Sequence, residues 1–544
     1  MNLTLVLLAL GAVADETPAA AEPVVTPAAV AEPAPAAVEP KPAEPIAETI
    51  AEVKPVPAKP AEPAPPVAEM KGLGVTAGAF EVKIAANLRL AQTMTSSIVL
   101  DDLGTTEQLT PFEMRVRLGP ELRYKKFSLI SEFDVATGAV FGTPDSTVVA
   151  SRVPTPNFRP AELRQLYLQY KWLTGAARLG VQTNTFGLGI LANAGAKDPE
   201  AGDFGLQHGG SVVLRAGIAG RPFYSLGDPW HIIEPVAAFD LVVRDSTADL
   251  LAGDRALQGI LGLRLVEGDN TIGVTGIYRS QRRDNGAPGE RSTDAFVLDL
   301  FARWTVIKSG DTQLTLSGEL AAITGTTTQS RSENAEVLDV RQLGVAGKVN
   351  FKKGRFGLLF DGGFASGDQN PYDATVNNFR FDPNYKVGLI LFDQVLGYQT
   401  ARSGWRAADP LLAGVAPEAI ELLPTAGSVT GAWYLFPRAK YGFAEWIDVY
   451  GGPLFAFTTA QLTDPFNTRI NGGTPVNYLG GTPGNYLGTE LDLGLTVHGA
   501  VTSYLNVSAT LEGGVLLPGD AFKTAAGTNM GPVGVGRLRL TIGG

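Results

Sequence analysis

The chain has 544 residues and no cysteine, which excludes disulfide bonds and thiol chemistry. Charged residues make up only 18% of it and glycines number 64, a composition that is unusual for a soluble protein of this size. The formal net charge of −11 comes mostly from the first 70 residues, because residues 71–544 carry 41 basic and 45 acidic groups. The acidic balance therefore says little about binding partners.

The N-terminal region reads as a targeting segment followed by a linker. Residues 1–14, MNLTLVLLALGAVA, have the apolar core and small-x-small ending of a secretory signal peptide, although they contain no Lys or Arg. A buried N-terminal segment is the alternative. Residues 15–70 are rich in Pro, Ala and Glu and cannot bury enough apolar surface to fold. We predict a disordered periplasmic linker, either passive or reaching peptidoglycan or periplasmic proteins.

From residue 71 onward, apolar and polar residues alternate in segments about ten residues long, which is the length of a tilted membrane-crossing strand. In EVKIAANLRLAQ, Val82 and Leu88 lie on one face of such a strand, and Lys83 and Arg89 lie on the other. Eighteen strands are predicted, centred near residues 86, 117, 132, 167, 179, 214, 238, 261, 274, 299, 318, 344, 360, 433, 450, 493, 509 and 538. The predicted fold class is all-β, a transmembrane antiparallel up-and-down β-barrel of about 18 strands over residues 71–544.

The connections between these strands alternate in length. Short turns such as YKKF, EGDN and FKKGR alternate with long polar segments, as in outer-membrane barrels with periplasmic turns and extracellular loops. An even strand count places both chain ends on the periplasmic side. Aromatic residues such as Tyr124, Trp172 and Trp304 lie at strand ends, where they predict an interfacial belt; ordinary core aromatics are the alternative.

The less apolar strand faces carry charges that we place on a water-lined inner wall, because unpaired buried charge is costly. The basic candidates for the pore lining are Lys83, Arg89, Arg115, Arg117, Lys171, Arg178, Arg215, Arg264, Arg303, Lys348, Arg438, Arg537 and Arg539. The acidic candidates are Glu113, Glu132, Asp134, Asp240, Asp299, Glu319, Asp361, Glu490, Asp492 and Glu512. The alternative role of these arginines is to brace the wall by pairing with its acids.

No motif for catalysis or for a cofactor was found in the sequence. The three histidines lack metal-ligand spacing, no phosphate-binding glycine loop is present, and His208 near Ser211 does not make a triad. We therefore predict no enzymatic activity, no cofactor, no resident metal and no nucleic-acid partner. A membrane-embedded hydrolase is the most distant alternative.

The connection after strand 13, residues 367–426, is about 60 residues long, and loops of that length are usually functional or disordered. Its segment VGLILF should pack in the pore mouth, so the loop is predicted to be a gate or constriction. The candidate gating residues are Asp368, Asn370, Asp373, Arg380 and Arg402. In DQNPYD the carboxylates fit a turn, with calcium binding as the alternative.

The stretch from Gly363 to Asp373, GFASGDQNPYD, with the apolar segment that follows it, resembles the corresponding region of the alginate-export family of outer-membrane barrels. The resemblance implies an 18-stranded barrel with a loop-gated, arginine-rich pore for an anionic polysaccharide. The sequence as a whole predicts an outer-membrane channel for polar or anionic solutes, whose partners are the lipid bilayer and the solute. A structural barrel that anchors the envelope through its Pro-rich tail is the alternative.

Overall fold

A computed structural model describes residues 73–283, 291–329, 336–370, 373–414 and 419–544. All of them belong to the second of two units of the chain, Ala61–Gly544. The predicted signal peptide and linker, residues 1–70, lie outside the described residues, so both stay predictions.

Eighteen antiparallel strands form a closed barrel, which confirms the predicted fold class and strand count. In chain order they are β1 Phe80–Thr95, β2 Phe112–Tyr124, β3 Phe127–Phe141, β4 Glu162–Trp172, β5 Gly175–Thr183, β6 Val212–Gly220, β7 Ile233–Arg244, β8 Asp254–Glu267, β9 Asn270–Arg283, β10 Arg291–Ser309, β11 Thr312–Thr327, β12 Leu338–Lys353, β13 Phe356–Ala365, β14 Ala432–Ala444, β15 Ile447–Thr458, β16 Tyr486–Ala500, β17 Asn506–Pro518 and β18 Val533–Gly543. Each strand pairs with the next, and β18 pairs with β1 from Asn87↔Gly543 to Thr95↔Val535. A closed sheet has no free edge, which is what a strand-built membrane protein requires.

The two ends of the barrel differ in the length of their connections. At one end the turns are short, at residues 125–126, 173–174, 268–269, 310–311, 354–355 and 445–446, whereas the connection at 221–232 is longer. At the other end the loops are long, with 184–211 and 366–431 the longest of those that the structure describes in whole or in part. We call these ends periplasmic and extracellular respectively, following the asymmetry of outer-membrane barrels.

The outer face of the barrel is apolar. Side chains such as Leu179, Phe239, Leu261 and Leu493 are exposed on it, while their polar neighbours along each strand point inward. Tyr124 and Phe127 flank one periplasmic turn, and Trp304 and Trp446 lie close to two others. An apolar band bordered by aromatic residues is the exterior of a multi-pass outer-membrane β-barrel.

Helices occur only in the connections of the described chain. They are α1 Gly397–Ala408, α2 Pro410–Ala413 and α3 Pro465–Ile470, with a π-helical turn at Leu391–Leu396 and short 3₁₀ turns. None of the described helices is long and apolar enough to span a bilayer.

Candidate functional site

Two extracellular connections fold back into the barrel. Inner loop A, residues 184–211, joins β5 to β6, and inner loop B, residues 366–431, joins β13 to β14. Their apolar side chains, including Ile190, Phe379 and Phe392, form one buried cluster with inward-facing strand residues such as Tyr434. The barrel interior at this level is therefore packed with loop residues, and the two loops make up the candidate site.

Inner loop A is anchored at one end to Glu319 on β11. This carboxylate accepts hydrogen bonds from the backbone amides of Leu188, Gly189 (2.8 Å) and Ile190 (3.4 Å). Gly187, just before them, has a φ of 56°, and a Cβ there would lie 2.5 Å from Glu319 Oε2. The close approach of the backbone to the carboxylate thus requires glycine at this position.

The middle of inner loop A reaches strands far from β11 in the barrel. The Asp198 carboxylate lies 3.1 Å from Arg89 Nη1 on β1 and 2.7 Å from Arg115 Nη2 on β2. These guanidinium groups lower the pKa of Asp198 against the opposing effect of burial. Nearby, the side chain of Arg438 on β14 donates to Gly202 O. Inner loop A is thus fixed to the walls of β11, β1, β2 and β14 and crosses the interior.

Inner loop B is anchored by a similar arrangement on β16. Glu490 accepts hydrogen bonds from the amides of Leu389 (2.5 Å), Ile390 (2.8 Å) and Leu391 (2.8 Å). Gly388 precedes them with a φ of 69°, and a Cβ there would lie 2.7 Å from Glu490 Oε1. The three amides start the π-helical turn that continues into α1, so one carboxylate binds the otherwise unpaired donors of a helix start.

The apolar segment of inner loop B lies inside the barrel. Val387, Leu389, Ile390, Leu391 and Phe392 are all buried in the loop–wall cluster. The sequence VGLILF is therefore sheltered from water in the barrel interior.

The two inner loops meet at Asp382. Its carboxylate accepts hydrogen bonds from the amides of Asn193 of inner loop A (3.0 Å) and Asn384 (2.8 Å), and its own amide donates to Ile190 O (2.7 Å). Burial raises the pKa of Asp382 to about 7, since the amides only partly offset the loss of water. His208, whose amide donates to Asn384 Oδ1, is mostly sheltered, with 14% of its side chain exposed, and the loss of water lowers its pKa well below the ordinary value.

Most of the predicted wall charges lie on inward-facing positions among loop or cross-strand partners. The buried ones are Arg89, Arg115, Arg117, Arg438, Arg537, Arg539, Glu113, Asp134, Asp240, Asp299, Glu319, Asp361, Glu490, Asp492 and Glu512, with Glu132 and Arg215 only slightly exposed. Arg117 binds Asp134 through two hydrogen bonds of 2.6 and 2.9 Å, and Arg537 and Arg539 lie 3.8 and 3.6 Å from Glu512. Such pairs brace the wall.

The remaining wall candidates line the periplasmic half of the interior and keep contact with solvent. Lys83 lies 3.4 Å from Glu81, Lys348 lies 3.3 Å from Asp361, and Arg264 pairs with Glu234. Arg178 donates to Gln169 Oε1 at 2.8 Å. Lys171 and Arg303 are exposed on inward positions, and neither has an acidic partner within 4 Å among the residues that the structure describes. A pore-lining role for all these residues stays a prediction.

The predicted gating residues take part in contacts within and between the loops. Arg402 in α1 binds the Asp101 carboxylate at 2.8 Å, and Arg380 donates to Pro424 O at 3.0 Å. Asp368 and Asp373 each accept backbone amides nearby in the chain, as in turns, and Asn370 lies in the first of these turns. Within the described residues no group of three or more His, Asp and Glu side chains could hold a metal ion.

The sequence interpretation missed inner loop A, although one signal was present. Residues 184–211 are far longer than a strand connection requires, the same argument that singled out inner loop B. The roles of Asp198 and Asp382 had no such signal, because each depends on partners distant in sequence.

Comparison with known proteins gives structural neighbours only. No protein-family model matches the sequence, and no curated protein matches it. The outer membrane protein OprD from Pseudomonas aeruginosa is 10% identical with a TM-score of 0.45, covering 88% of this chain and 96% of its own. OccK5 (OpdH) from the same organism is 11% identical with a TM-score of 0.43, covering 85% and 97%. OccAB1 from Acinetobacter baumannii is 8% identical with a TM-score of 0.41, covering 85% and 96%.

These comparisons correct one prediction. The structures found similar are OprD and Occ proteins rather than alginate exporters, and no family model supports the alginate-export resemblance. That family prediction is therefore wrong. The match on residues 363–373 misled because it covers only the last residues of β13 and the turn at Asp368 and Asn370, a small part of the 544-residue chain.

Proposed function

We propose that this protein is an outer-membrane channel for small polar solutes, with a preference for anions, whose path is set by inner loops A and B. The observation that carries the proposal is a closed membrane barrel with a charged interior, in which Lys171 and Arg303 lie exposed with no acidic group within 4 Å among the described residues. A charged wall needs water, and a continuous water column through a membrane barrel is a channel.

The preference for anions is inferred from the periplasmic half of the interior. Cations that are already paired contribute little net field, whereas unpaired ones raise the local concentration of anions. Lys171 on β4 and Arg303 on β10 are on different parts of the wall, so an anion entering this half meets positive charge from more than one side.

Small solutes fit the two inner loops better than a polymer does. Loop A is held by its hydrogen bonds to Glu319 and by the ion pairs of its own Asp198, and loop B is held by its hydrogen bonds to Glu490. A polysaccharide would therefore require both loops to leave the interior. We propose that loop movement gates the passage of small solutes.

The test is ion selectivity in planar bilayers. Under a salt gradient, the reversal potential of the wild-type channel should show anion preference, and the double variant Lys171→Glu with Arg303→Glu should shift it toward cations. Lys353→Glu is the matched control, because Lys353 pairs with the outward-facing Phe356 and therefore lies on the outer face near the same end.

Two results would count against the proposal. A reversal potential that the double variant leaves unchanged would remove the role of these cations. A folded barrel that never conducts would instead favour the envelope-anchoring alternative, which the loop-filled interior makes a real competitor.

A further inference from the structure

The anchor of inner loop A includes a second carboxyl group that the channel proposal does not use. Asp299 on β10 and Glu319 on β11 both face inward on adjacent strands, since Asp299 pairs with Ala321, two residues from Glu319. Asp299 has no exposed surface, and neither of its carboxylate oxygens has a hydrogen-bond partner among the described residues. Glu319 Oε1, on the side away from the loop amides, also lacks one.

Among the described residues no cation lies within 4 Å of either carboxylate; the nearest inward-facing cations along the wall, Arg303 and Lys348, lie opposite Ser317, one inward position from Glu319, and Lys348 pairs with Asp361. Across β9, Thr275 lies opposite Asp299, and across β12, Ala346 lies opposite Glu319. Loop A contributes backbone amides, those of Leu188, Gly189 and Ile190, to this site.

Two adjacent carboxylates without a cation cannot both be ionised at low cost, and such pairs hold one proton between them. A single proton on Asp299 makes its carboxyl group a hydrogen-bond donor, and Glu319 Oε1 can accept that hydrogen bond. Glu319 then stays negatively charged, which strengthens the hydrogen bonds it accepts from the loop amides.

We propose that Asp299 and Glu319 share one proton and that this proton keeps inner loop A docked in the barrel. When the proton passes to water, two like charges face each other in a dry site, and separation of loop A admits the water that solvates them. The inference rests on the proposed function only in giving loop A control of the passage. The docking itself is a property of the fold.

The anchor of inner loop B provides an internal comparison. Asp492 lies beside Glu490 and also has two carboxylate oxygens without partners among the described residues. There, however, Glu512 adds a third carboxylate, which is itself bound by Arg537 and Arg539, so ionisation at that site involves five charged side chains rather than two. A dependence on one proton is therefore expected at Glu319 rather than at Glu490.

The test is amide hydrogen exchange of residues 188–190 in the full-length protein in detergent, corrected for intrinsic rates, from about pH 5 to about pH 9. If the docked state holds one proton that the undocked state has released, a rise in pH favours the undocked state. Protection of these amides should then fall by about tenfold per pH unit at pH values where the undocked pair is ionised. Asp382 is a second titratable group on this segment, so the decisive quantity is the difference in slope between wild type and Asp299→Asn. The variant should lose the slope of one proton and stay protected at high pH.

Asp240→Asn is the control, since Asp240 is a buried wall carboxylate bound to Arg215, whose contact with loop A is at Asn184, outside the anchor at residues 188–190. Its slope should equal that of wild type. Equal slopes in wild type and Asp299→Asn would overturn the proposal, as would protection that does not vary with pH in wild type. Restoration of protection at high pH by calcium would also overturn it, because a metal ion would then occupy the pair. A protein that shows the slope but no conductance would refute the channel and leave the docking proton standing.

Discussion

The hydrogen bonds at Glu490 lead to a sharp prediction for inner loop B. Glu490 is fully buried and accepts three backbone amides at 2.5, 2.8 and 2.8 Å. The substitution Glu490→Ala removes the acceptor without touching the loop or the strand pairing of β16. It should therefore loosen the start of the π-helical turn and leave the barrel folded.

The magnitude follows from the three donors. Each buried amide left without an acceptor costs about 1–3 kcal/mol, so the three together cost about 3–9 kcal/mol. Water entering from the interior will satisfy some of them, which favours the lower end of the range. A loss of about 3 kcal/mol raises the undocked population of the loop roughly a hundredfold.

The assay is hydrogen exchange at residues 389–391 together with single-channel recording. Protection of these amides should fall about a hundredfold, and current fluctuations should increase. Glu421→Ala is the control, because Glu421 belongs to the same loop but pairs with the Arg283 side chain at a partly exposed site. Glu490→Gln, which keeps one acceptor oxygen, should have a smaller effect. Equal protection in Glu490→Ala and Glu421→Ala, with both barrels folded, would refute the anchoring role of Glu490.

Three further predictions concern the loops and the tail. Replacing residues 370–422 with a short Gly-Ser linker should increase single-channel conductance while the barrel remains folded; unchanged conductance would place loop B outside the path. Burial raises the pKa of Asp464 to about 6, so its stabilising contribution is complete below about pH 4 and is lost as the pH rises through 6. The free energy of unfolding of the wild type should therefore fall by about 3 kcal/mol from about pH 4 to a pH well above 6, and Asp464→Asn should abolish this difference. Deleting residues 15–70 should leave barrel assembly intact, as judged by the heat-sensitive mobility of folded barrels on gels.

The barrel could be predicted from the sequence because its signal is local. Alternation places Val82 and Lys83 on opposite faces whatever the rest of the chain does, and a turn such as 125–126 is short enough to define its hairpin. All eighteen strands therefore contain their predicted centres. The same alternation gave the inward direction of the wall charges, for example Asp299 and Arg303 on β10.

The loop anchors could not be predicted in that way. Glu319 and Gly189 are 130 positions apart, and the bond between them uses a backbone amide, which every residue except proline possesses. Strand alternation also does not identify the partners of wall charges. Arg89 and Arg115 would be read as unpaired pore cations, but Asp198 of loop A binds both of them. Counting wall charges in the sequence therefore overestimates the charge that a solute meets.

This pairing separates the two properties that the proposed channel needs, a tightly held loop and a charged path. In the loop-filled part of the barrel, charges such as Arg117 and Asp134 neutralise each other at contact distance, so they contribute stability and little field to a passing ion. Toward the periplasmic end, Lys171 and Arg303 contribute positive electrostatic potential to the interior, and in the described structure neither forms an ion pair that would stabilise the wall. Substitutions in the first group should then alter how tightly the loops are held, and substitutions in the second should alter which ions pass. A variant of Arg117 that reversed ion selectivity while the loops stayed docked would contradict this division, because a paired guanidinium would be acting on the permeant ion directly.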